Sequence, residues 1–277
     1  LDWQRLREYR LIISDVWGVI HNGQQLYPGI VELFDKLAAA DIPVMLLSNA
    51  PRRNYVVEAG LQQMGLAAHL YAGILTSGEA VHGILSRRSD EFGFALGRAF
   101  THLGPPRDRS CFEGLDYHEV DVAAADFVLC TGLLPGHADP AAARPLLEAA
   151  RQRDLPLICA NPDRVVMVGA EMHYCAGAVA DIYQAMGGRV SWVGKPHRLV
   201  YEKLADSVAL NLNEQVLAVG DSCETDLRGA NAAAIHSLFI TGGIHRADIA
   251  TPSDIPRLLA QHGCVTNYVL PSFAAAL

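Results

Sequence analysis

The sequence contains no Cys-x-x-Cys pair, although it has six cysteines in 277 residues. They are scattered singly along the chain, as Cys111, Cys130, Cys159, Cys175, Cys223 and Cys264. In a chain of this length, that scatter excludes a disulfide-stapled scaffold and a zinc ribbon. Cys130, Cys159 and Cys175 lie in apolar surroundings, which is typical of small core residues. The cysteine pattern favours a protein of the reducing cytoplasm.

Two other absences exclude further classes of binding partner. The chain has no basic block and carries 22 Lys and Arg against 30 Asp and Glu, a net charge of −8, which argues against nucleic acid as a partner. No stretch approaches eighteen uninterrupted apolar residues, so we expect neither a transmembrane helix nor a membrane partner. The apolar fraction of 51% and the charged fraction of 19% are those of an ordered globular protein.

Short β-rich runs alternate with helical stretches, which predicts βα units and a parallel sheet. Near the two ends of the chain we predict strands at 11–14, 43–47, 216–219 and 238–240. The helices predicted between them cover 30–39, a stretch opening at Pro51, 196–210 and 225–234.

The middle of the chain has its own alternation of strands and helices. We predict strands at 99–103, 127–130 and 157–160 and a helix at 140–152. A region of roughly 110 residues is long enough for a separate small domain. We therefore predict an α/β core built from 1–78 and 189–277, with a second α/β domain, 79–188, inserted into it.

Acidic residues follow two predicted strands that are far apart in the sequence. Asp15 comes directly after the strand at 11–14, and Asp221 and Asp226 follow the strand at 216–219. If these strands are neighbours in a parallel sheet, their carboxyl ends meet at one crevice. Three carboxylates there repel one another unless a hard cation such as Mg²⁺ lies among them. The pattern therefore predicts a magnesium site.

Two more polar segments lie between the acidic ones and, with them, form an ordered set of four segments along the chain. Ser48 and Asn49 end the second predicted strand, and Lys195 follows the apolar run at 190–193. The four segments in this order resemble the haloacid-dehalogenase-like superfamily, whose members are mostly Mg²⁺-dependent phosphatases that use an aspartyl-phosphate intermediate. The resemblance extends from Leu11 to about Gly243.

Three shorter segments are similar to one branch of that superfamily, class IIA. They are Ile-Leu-Thr-Ser-Gly-Glu-Ala at 74–80, Asn-Pro-Asp at 161–163 and Gly-Lys-Pro-His at 194–197. That branch includes nitrophenylphosphatases, pyridoxal phosphatase, phosphoglycolate phosphatase and a bacterial nucleotide phosphatase. The resemblance implies a Rossmann-like parallel-sheet core with an inserted α/β cap of the C2 type. It also implies a small phosphorylated metabolite as substrate, and it allows a homodimer formed through the cap.

The resemblance also implies a role for each residue of the ordered set. Asp15 would be the nucleophile, and it needs nearby positive charge because it must approach an anion. Lys195 would supply that charge. Ser48 and Asn49 would bind the phosphoryl oxygens, helped by the amides of the following helix.

The same resemblance implies a set of metal ligands. Asp15, Asp221 and the backbone carbonyl of Trp17 would hold Mg²⁺, which prefers oxygen ligands. Asp226 would support this shell. The carbonyl role does not depend on the side chain at position 17.

Trp17 is where the chain departs from the family. In members of the family, an aspartate two positions after the nucleophile protonates the leaving group and later activates water. An indole N–H has negligible acidity, so Trp17 does neither. Because acid–base catalysis contributes about 10²–10⁴-fold, we expect slow turnover, above all of alkyl phosphates. His21, His173 and Glu224 are the candidates for a substitute acid.

Trp17 leaves two alternatives open. The first is a non-catalytic protein that binds a phosphorylated metabolite on a phosphatase scaffold. The second is a dehalogenase, since true haloacid dehalogenases carry an aromatic residue at this position. Those enzymes insert their cap between the first two motifs, whereas 33 positions separate Asp15 from Ser48 here and 147 separate Ser48 from Lys195. They also lack the metal-binding acidic pair, so dehalogenation is the least favoured hypothesis.

Overall fold

The computed structural model describes residues 1–88, 96–197, 200–201, 204 and 215–277. Within them the chain forms two parallel sheets, of six and five strands, and one antiparallel hairpin. The strands are β1 Leu11–Ser14, β2 Val44–Ser48, β3 Gly73–Thr76, β4 Ala99–Leu103, β5 His118–Glu119, β6 Phe127–Cys130, β7 Leu157–Cys159, β8 Val165–Val168, β9 Glu171–Tyr174, β10 Val190–Trp192, β11 Val216–Gly220, β12 His236–Ile240 and β13 Tyr268–Leu270. The α-helices are α1 Trp3–Leu6, α2 Ile30–Ala39, α3 Asn54–Met64, α4 Ser77–Arg87, α5 Arg144–Gln152, α6 Ala176–Ala185, α7 Arg228–Ala233 and α8 Asp254–His262.

The six-stranded sheet is built from both ends of the chain, in the order β13-β12-β11-β1-β2-β3. β1 lies at its centre, with Leu11 opposite Val216 of β11 and Ile12 opposite Val44 of β2. All residues of β1, β2 and β11 are buried, as expected for parallel strands covered on both faces. The carboxyl ends of β1 and β11 are therefore neighbours, which confirms the Rossmann-like parallel core.

Successive side chains of β1 enter two different apolar clusters. Ile12 packs into the cluster that includes the buried face of α2, while Leu11 and Ile13 pack on the opposite side of the sheet. The buried residues of α2, Ile30, Leu33, Phe34 and Leu37, recur at helical spacing on one face. This layering fixes the sheet and the position of its carboxyl edge.

The predicted helix opening at Pro51 is wrong by three residues, because α3 begins at Asn54. The segment before it is held by the end of β3. The Thr76 hydroxyl donates to the Arg52 carbonyl, and the Thr76 amide donates to Oδ1 of Asn54. These bonds give the loop an alternative to the first helical turn.

The five-stranded sheet has the order β10-β7-β6-β4-β5 and is also parallel. Its faces are covered by α4 on one side and by α5 and α6 on the other. β10 pairs with β7, with Val190 opposite Leu157, so this strand belongs to the inserted sheet and not to the core segment that was predicted to begin at 189. An apolar run has the same pattern in either sheet, and only its pairing partner distinguishes them.

Some elements differ from the sequence prediction or were absent from it. The predicted helix at 140–152 is a 3₁₀ turn, Pro140–Ala143, followed by α5. The one predicted at 225–234 is a π-type turn, Cys223–Leu227, followed by α7. The helix predicted at 196–210 falls largely outside the described residues. The β8–β9 hairpin and β13 were not predicted.

The six cysteines are unpaired, and Cys130 and Cys159 are completely buried, as expected of core residues. Cys175 is only partly buried. Among the helices of the described segments, none has the length and apolar character needed to cross a membrane.

Candidate active site

Three carboxylates meet at the carboxyl edge of the six-stranded sheet. Asp15 follows β1, and its amide donates to the carbonyl of Val219 in β11 (2.8 Å). Asp221 follows β11, and Asp226 lies in the turn beyond it. Oxygen atoms of Asp15, Asp221 and Asp226 lie within 4.8 Å of one another, and all three residues are buried. The structure thus brings together the three acids that the sequence singled out.

Lys195 lies against this cluster. Its Nζ contacts Oδ1 of Asp15 and is 2.7 Å from Oδ1 of Asp226. Burial alone would lower the pKa of Lys195, but Asp15 and Asp226 together raise it well above its usual value, so the amine is charged. The cluster therefore consists of three carboxylic acids and one ammonium group.

Burial in a cluster with more acids than cations changes the pKa values of the carboxylic acids. Burial, reinforced by Asp226, raises the pKa of Asp221 to about 8. Burial also raises the pKa of Asp15, although Lys195 opposes the shift. Buried carboxylates in such a group need a further cation to ionise fully. A hard divalent cation fits the donor set, since all of the acids offer oxygen ligands.

Local backbone features allow Asp221 to lie so close to β1. Gly18 has φ 86°, and a Cβ at this position would lie 2.0 Å from Oδ2 of Asp221. The amide of Ile244 donates to the same oxygen (2.7 Å). Any side chain at position 18 would displace Asp221, so this glycine is required.

Asp226 has two functions in the structure. Its Oδ2 accepts hydrogen bonds from the amides of Asp221 (3.2 Å) and Ser222 (3.1 Å), which fixes the turn after β11. Its Oδ1 faces Lys195. The residue therefore shapes the loop that carries Asp221 and adds charge to the cluster.

Asn49 connects Lys195 to the part of the chain inserted between β3 and β11. Its Oδ1 accepts from the Lys195 amide (2.8 Å), and its Nδ2 donates to Oδ1 of Asp163 (2.8 Å) and to the Lys195 carbonyl (3.2 Å). Asn49 thereby positions the lysine. Ser48 is buried, and its hydroxyl accepts from the Ala50 amide (3.2 Å). Contact of Ser48 and Asn49 with a phosphoryl group stays a prediction.

Asp163 is a site residue whose contact the sequence did not reveal, although the Asn-Pro-Asp segment at 161–163 was noted as similar to class IIA. Burial raises the pKa of Asp163, and the charge of Lys195 opposes the shift. The bond to Asn49 joins residues 114 positions apart. The only available signal was the segment's resemblance to the class IIA cap.

The Trp17 side chain contacts the β8–β9 hairpin. Its indole N–H donates to the carbonyl of Met167 in β8 (2.6 Å). The ring packs edge-on against His21, with 4.9 Å between centroids, and leaves no room for a Cβ at Gly23. Beside this contact, the Gly169 amide at the tip of the hairpin donates to the Asn22 carbonyl (3.0 Å). That the Trp17 carbonyl binds metal stays a prediction.

Of the three candidates for a substitute acid, His21 lies against Trp17. It is buried, and Nδ1 accepts from the Gly23 amide (2.9 Å). Burial, with a smaller contribution from Arg52, lowers the pKa of His21 to about 4. The ring is therefore neutral at pH 7, with its proton on Nε2, and it is a weak proton donor.

The other two candidates lie in ordinary ion pairs. Glu224 is 3.1 Å from Arg164 and 3.7 Å from His262. His173 is exposed on β9, 3.6 Å from Glu171. Neither contact points to a role as an acid.

A Rossmann-like sheet whose central strand ends in a buried aspartate, opposite an acidic pair and a lysine, defines a class of hydrolase. Residues 12–118 match the family model described as haloacid dehalogenase-like hydrolase, and residues 192–263 match a second, HAD-hydrolase-like model. A hydrolase of the haloacid dehalogenase-like family from Brucella suis 1330 is 31% identical and covers 96% of each chain, with a TM-score of 0.83. The chain therefore belongs to the haloacid dehalogenase-like hydrolase family.

More distant relatives also span nearly the whole chain. Human chronophin is 24% identical over 272 residues, which are 95% of this chain and 90% of chronophin. The 4-nitrophenylphosphatase of Thermotoga maritima is 22% identical, covers 98% of both chains and has a TM-score of 0.74. At that identity the second comparison establishes a shared fold.

Proposed function

We propose that the protein is a Mg²⁺-dependent phosphatase of the class IIA branch, acting on a small phosphorylated metabolite through an aspartyl-phosphate intermediate. The observation that carries the proposal is the contact of the Asp15 carboxylate with Lys195, within 4.8 Å of Asp221 and Asp226. The similarity in fold to a 4-nitrophenylphosphatase supports it.

Each of these residues has a physical role in the proposal. An oxygen of Asp15 attacks phosphorus, so that an acyl-phosphate bond forms as the ester P–O bond breaks. Lys195 stabilises the negative charge shared between Asp15 and the phosphoryl oxygens. When bound, Mg²⁺ supplies further neutralisation at Asp15, Asp221 and Asp226. Water then hydrolyses the acyl phosphate and restores Asp15.

The leaving group is the difficult part of this reaction here. Its oxygen needs a proton unless it is a stable anion, and Trp17 has no acidic proton to give. The Trp17 indole is also engaged with Met167. We therefore propose a slow enzyme that hydrolyses aryl phosphates much faster than alkyl phosphates.

A non-catalytic binder of a phosphorylated metabolite is the second candidate. It is favoured by the indole at position 17 and by the neutral His21 beside it. It is disfavoured by the retained contact between Asp15 and Lys195, since a protein that only binds phosphate has little use for a buried nucleophile.

Phosphate release from p-nitrophenyl phosphate and from a set of alkyl phosphates tests the proposal. We expect release with Mg²⁺ and none with EDTA, and we expect Asp15→Asn to lower the rate by at least about 10³-fold, as for loss of a nucleophile. The ratio of aryl to alkyl rates measures the effect of Trp17. Absence of release, together with Mg²⁺-dependent binding of a phosphorylated ligand, would favour the binder instead.

A further inference from the structure

One guanidinium beside the site has a donor without an acceptor. Arg52 lies in the loop between β2 and α3, where its carbonyl accepts from the Thr76 hydroxyl. Gly78 packs against the same backbone, since a Cβ there would lie 2.3 Å from the Arg52 nitrogen. The Arg52 Nε is buried and has no hydrogen-bond acceptor in the described part of the chain, while 27% of the side chain is exposed. The backbone is thus fixed and the charge faces partly outward.

Asp108 of the inserted domain does not satisfy this donor. Its Oδ1 is 3.7 Å from the Nε of Arg52 and 3.9 Å from the Nε of Arg107, and both distances exceed a hydrogen bond. Asp108 is buried, and burial raises its pKa to about 6, although Arg52 and Arg107 oppose the shift. Two cations therefore share one acid that itself resists ionisation, and the group carries net positive charge.

This group lies next to the proposed phosphoryl site. Arg52 lies three positions after Asn49, so their Cα atoms are at most about 11 Å apart. Asn49 binds the Lys195 backbone. On its other side, Arg52 is close enough to His21 to help burial lower the pKa of that ring, and His21 packs against Trp17. The loop that carries Arg52 therefore adjoins the residue that holds the Lys195 backbone in place.

We propose that Arg52, with Arg107 beside it, binds a second anionic group of the substrate, which makes the substrate a small phosphomonoester with a carboxylate or a second phosphate on its organic part. This inference rests on the proposed function and names its substrate class. A guanidinium fork matches the planar or tetrahedral oxygens of such groups. An uncharged organic group would gain no charge-assisted hydrogen bond from the exposed part of the guanidinium and would bind less tightly.

A matched pair of substrates tests the inference. n-Butyl phosphate and 4-(phosphonooxy)butanoate have the same chain, and only the second ends in a carboxylate. With Mg²⁺, we expect kcat/KM to favour the carboxylate by about 10- to 100-fold, the usual effect of a charged hydrogen bond. Arg52→Gln should reduce this ratio to near one, chiefly by lowering kcat/KM for the carboxylate substrate. Butane-1,4-diyl bisphosphate shows which anionic group is preferred.

Arg53→Gln is the matched control. Arg53 is the adjacent arginine, but its Nε has an acceptor, Oε2 of Glu79, at 2.6 Å. We expect this variant to retain the preference for the anionic substrate. If Arg52→Gln slows both substrates equally, the residue only supports the contact with Asp108 and the inference is wrong. A preference that survives Arg52→Gln would overturn it as well.

Failure of the proposed function leaves the inference testable. If no substrate is hydrolysed, calorimetric titration of the Mg²⁺-loaded protein with the same two compounds replaces kinetics. At least about tenfold tighter binding of the carboxylate, lost in Arg52→Gln, would support the subsite in a protein that does not turn over. Equal affinities would reject the subsite whatever the catalytic outcome.

Discussion

The two parallel sheets turn their carboxyl edges towards the same crevice but contribute different chemistry to it. In the six-stranded sheet, Asp15 and Asp221 follow directly after β1 and β11, which are buried along their whole length. In the five-stranded sheet, β6 and β7 end in the buried cysteines Cys130 and Cys159. The polar groups of that side, Asp108 and Asp163, come from the loops beyond its strands.

Under the proposed function, this difference separates the residues that would react with the substrate from those that would recognise it. A side chain within one residue of a central strand has a position fixed by the sheet, as a nucleophile and a metal ligand require. Side chains on loops vary more easily in sequence and conformation, which suits the selection of a substrate. The comparison predicts that changes on the core edge reduce catalysis of all substrates, while changes on the inserted edge affect selectivity and stability.

The largest expected effect is on the core edge, at Asp221. Asp221→Asn should lower turnover of every substrate by at least about 10³-fold, because it removes a proposed Mg²⁺ ligand. At a concentration of 100 times the dissociation constant, Mg²⁺ should stabilise the unaltered protein by about 2.7 kcal/mol, or roughly 5–10 °C in Tm, and the variant should lose this shift. Thermal unfolding with Mg²⁺ and with EDTA measures it. If Mg²⁺ raised the Tm of Asp221→Asn as much as that of the unaltered protein, Asp221 would not be a metal ligand and the comparison would be wrong.

The next effect concerns Trp17, which follows β1 of the core and contacts the β8–β9 hairpin. Trp17→Asp should raise the hydrolysis of alkyl phosphates by about 10²-fold, the lower end of the contribution of acid–base catalysis. It also removes the bond to Met167, so unfolding free energy should fall by about 1 kcal/mol. Trp17→Phe is the control, since it loses the same bond and gains no acid. A rate increase in both variants would mean that the hairpin contact, and not the missing acid, limits turnover.

The smallest effect on activity is expected on the inserted edge, at Asp108, where the change is one of stability. Burial raises the pKa of Asp108 to about 6. The folded state holds this proton more tightly than the unfolded chain, so stability should fall as pH rises from about 4 to about 6. The loss should be about 2–3 kcal/mol. Asp108→Asn should remove this part of the pH dependence in urea unfolding, whereas Asp116→Asn, at an exposed position, should not. A parallel pH profile for Asp108→Asn and the unaltered protein would contradict this account.

The sequence predicted those parts of the fold and site that depend on local order. Helix α2 and the strands β1, β4 and β6 have the predicted limits, because each has a clear apolar period bounded by turn residues. Asp15, Asp221 and Asp226 were singled out because they follow apolar strands, and Lys195 because its place in the order of segments resembles the family. The second core segment was predicted to begin at 189, before β10, because the pattern of an apolar run does not specify its pairing partner.

What the sequence by itself determined is therefore the parallel α/β architecture and the set of residues that could meet at its carboxyl edge. Only the tertiary structure decided which groups contact across the crevice: Trp17 with Met167, Asn49 with Asp163, and Arg52 near Asp108. These contacts join residues 150, 114 and 56 positions apart. Their geometry depends on how the inserted sheet packs against the core, and hydrophobic periodicity within either segment carries no information about that packing.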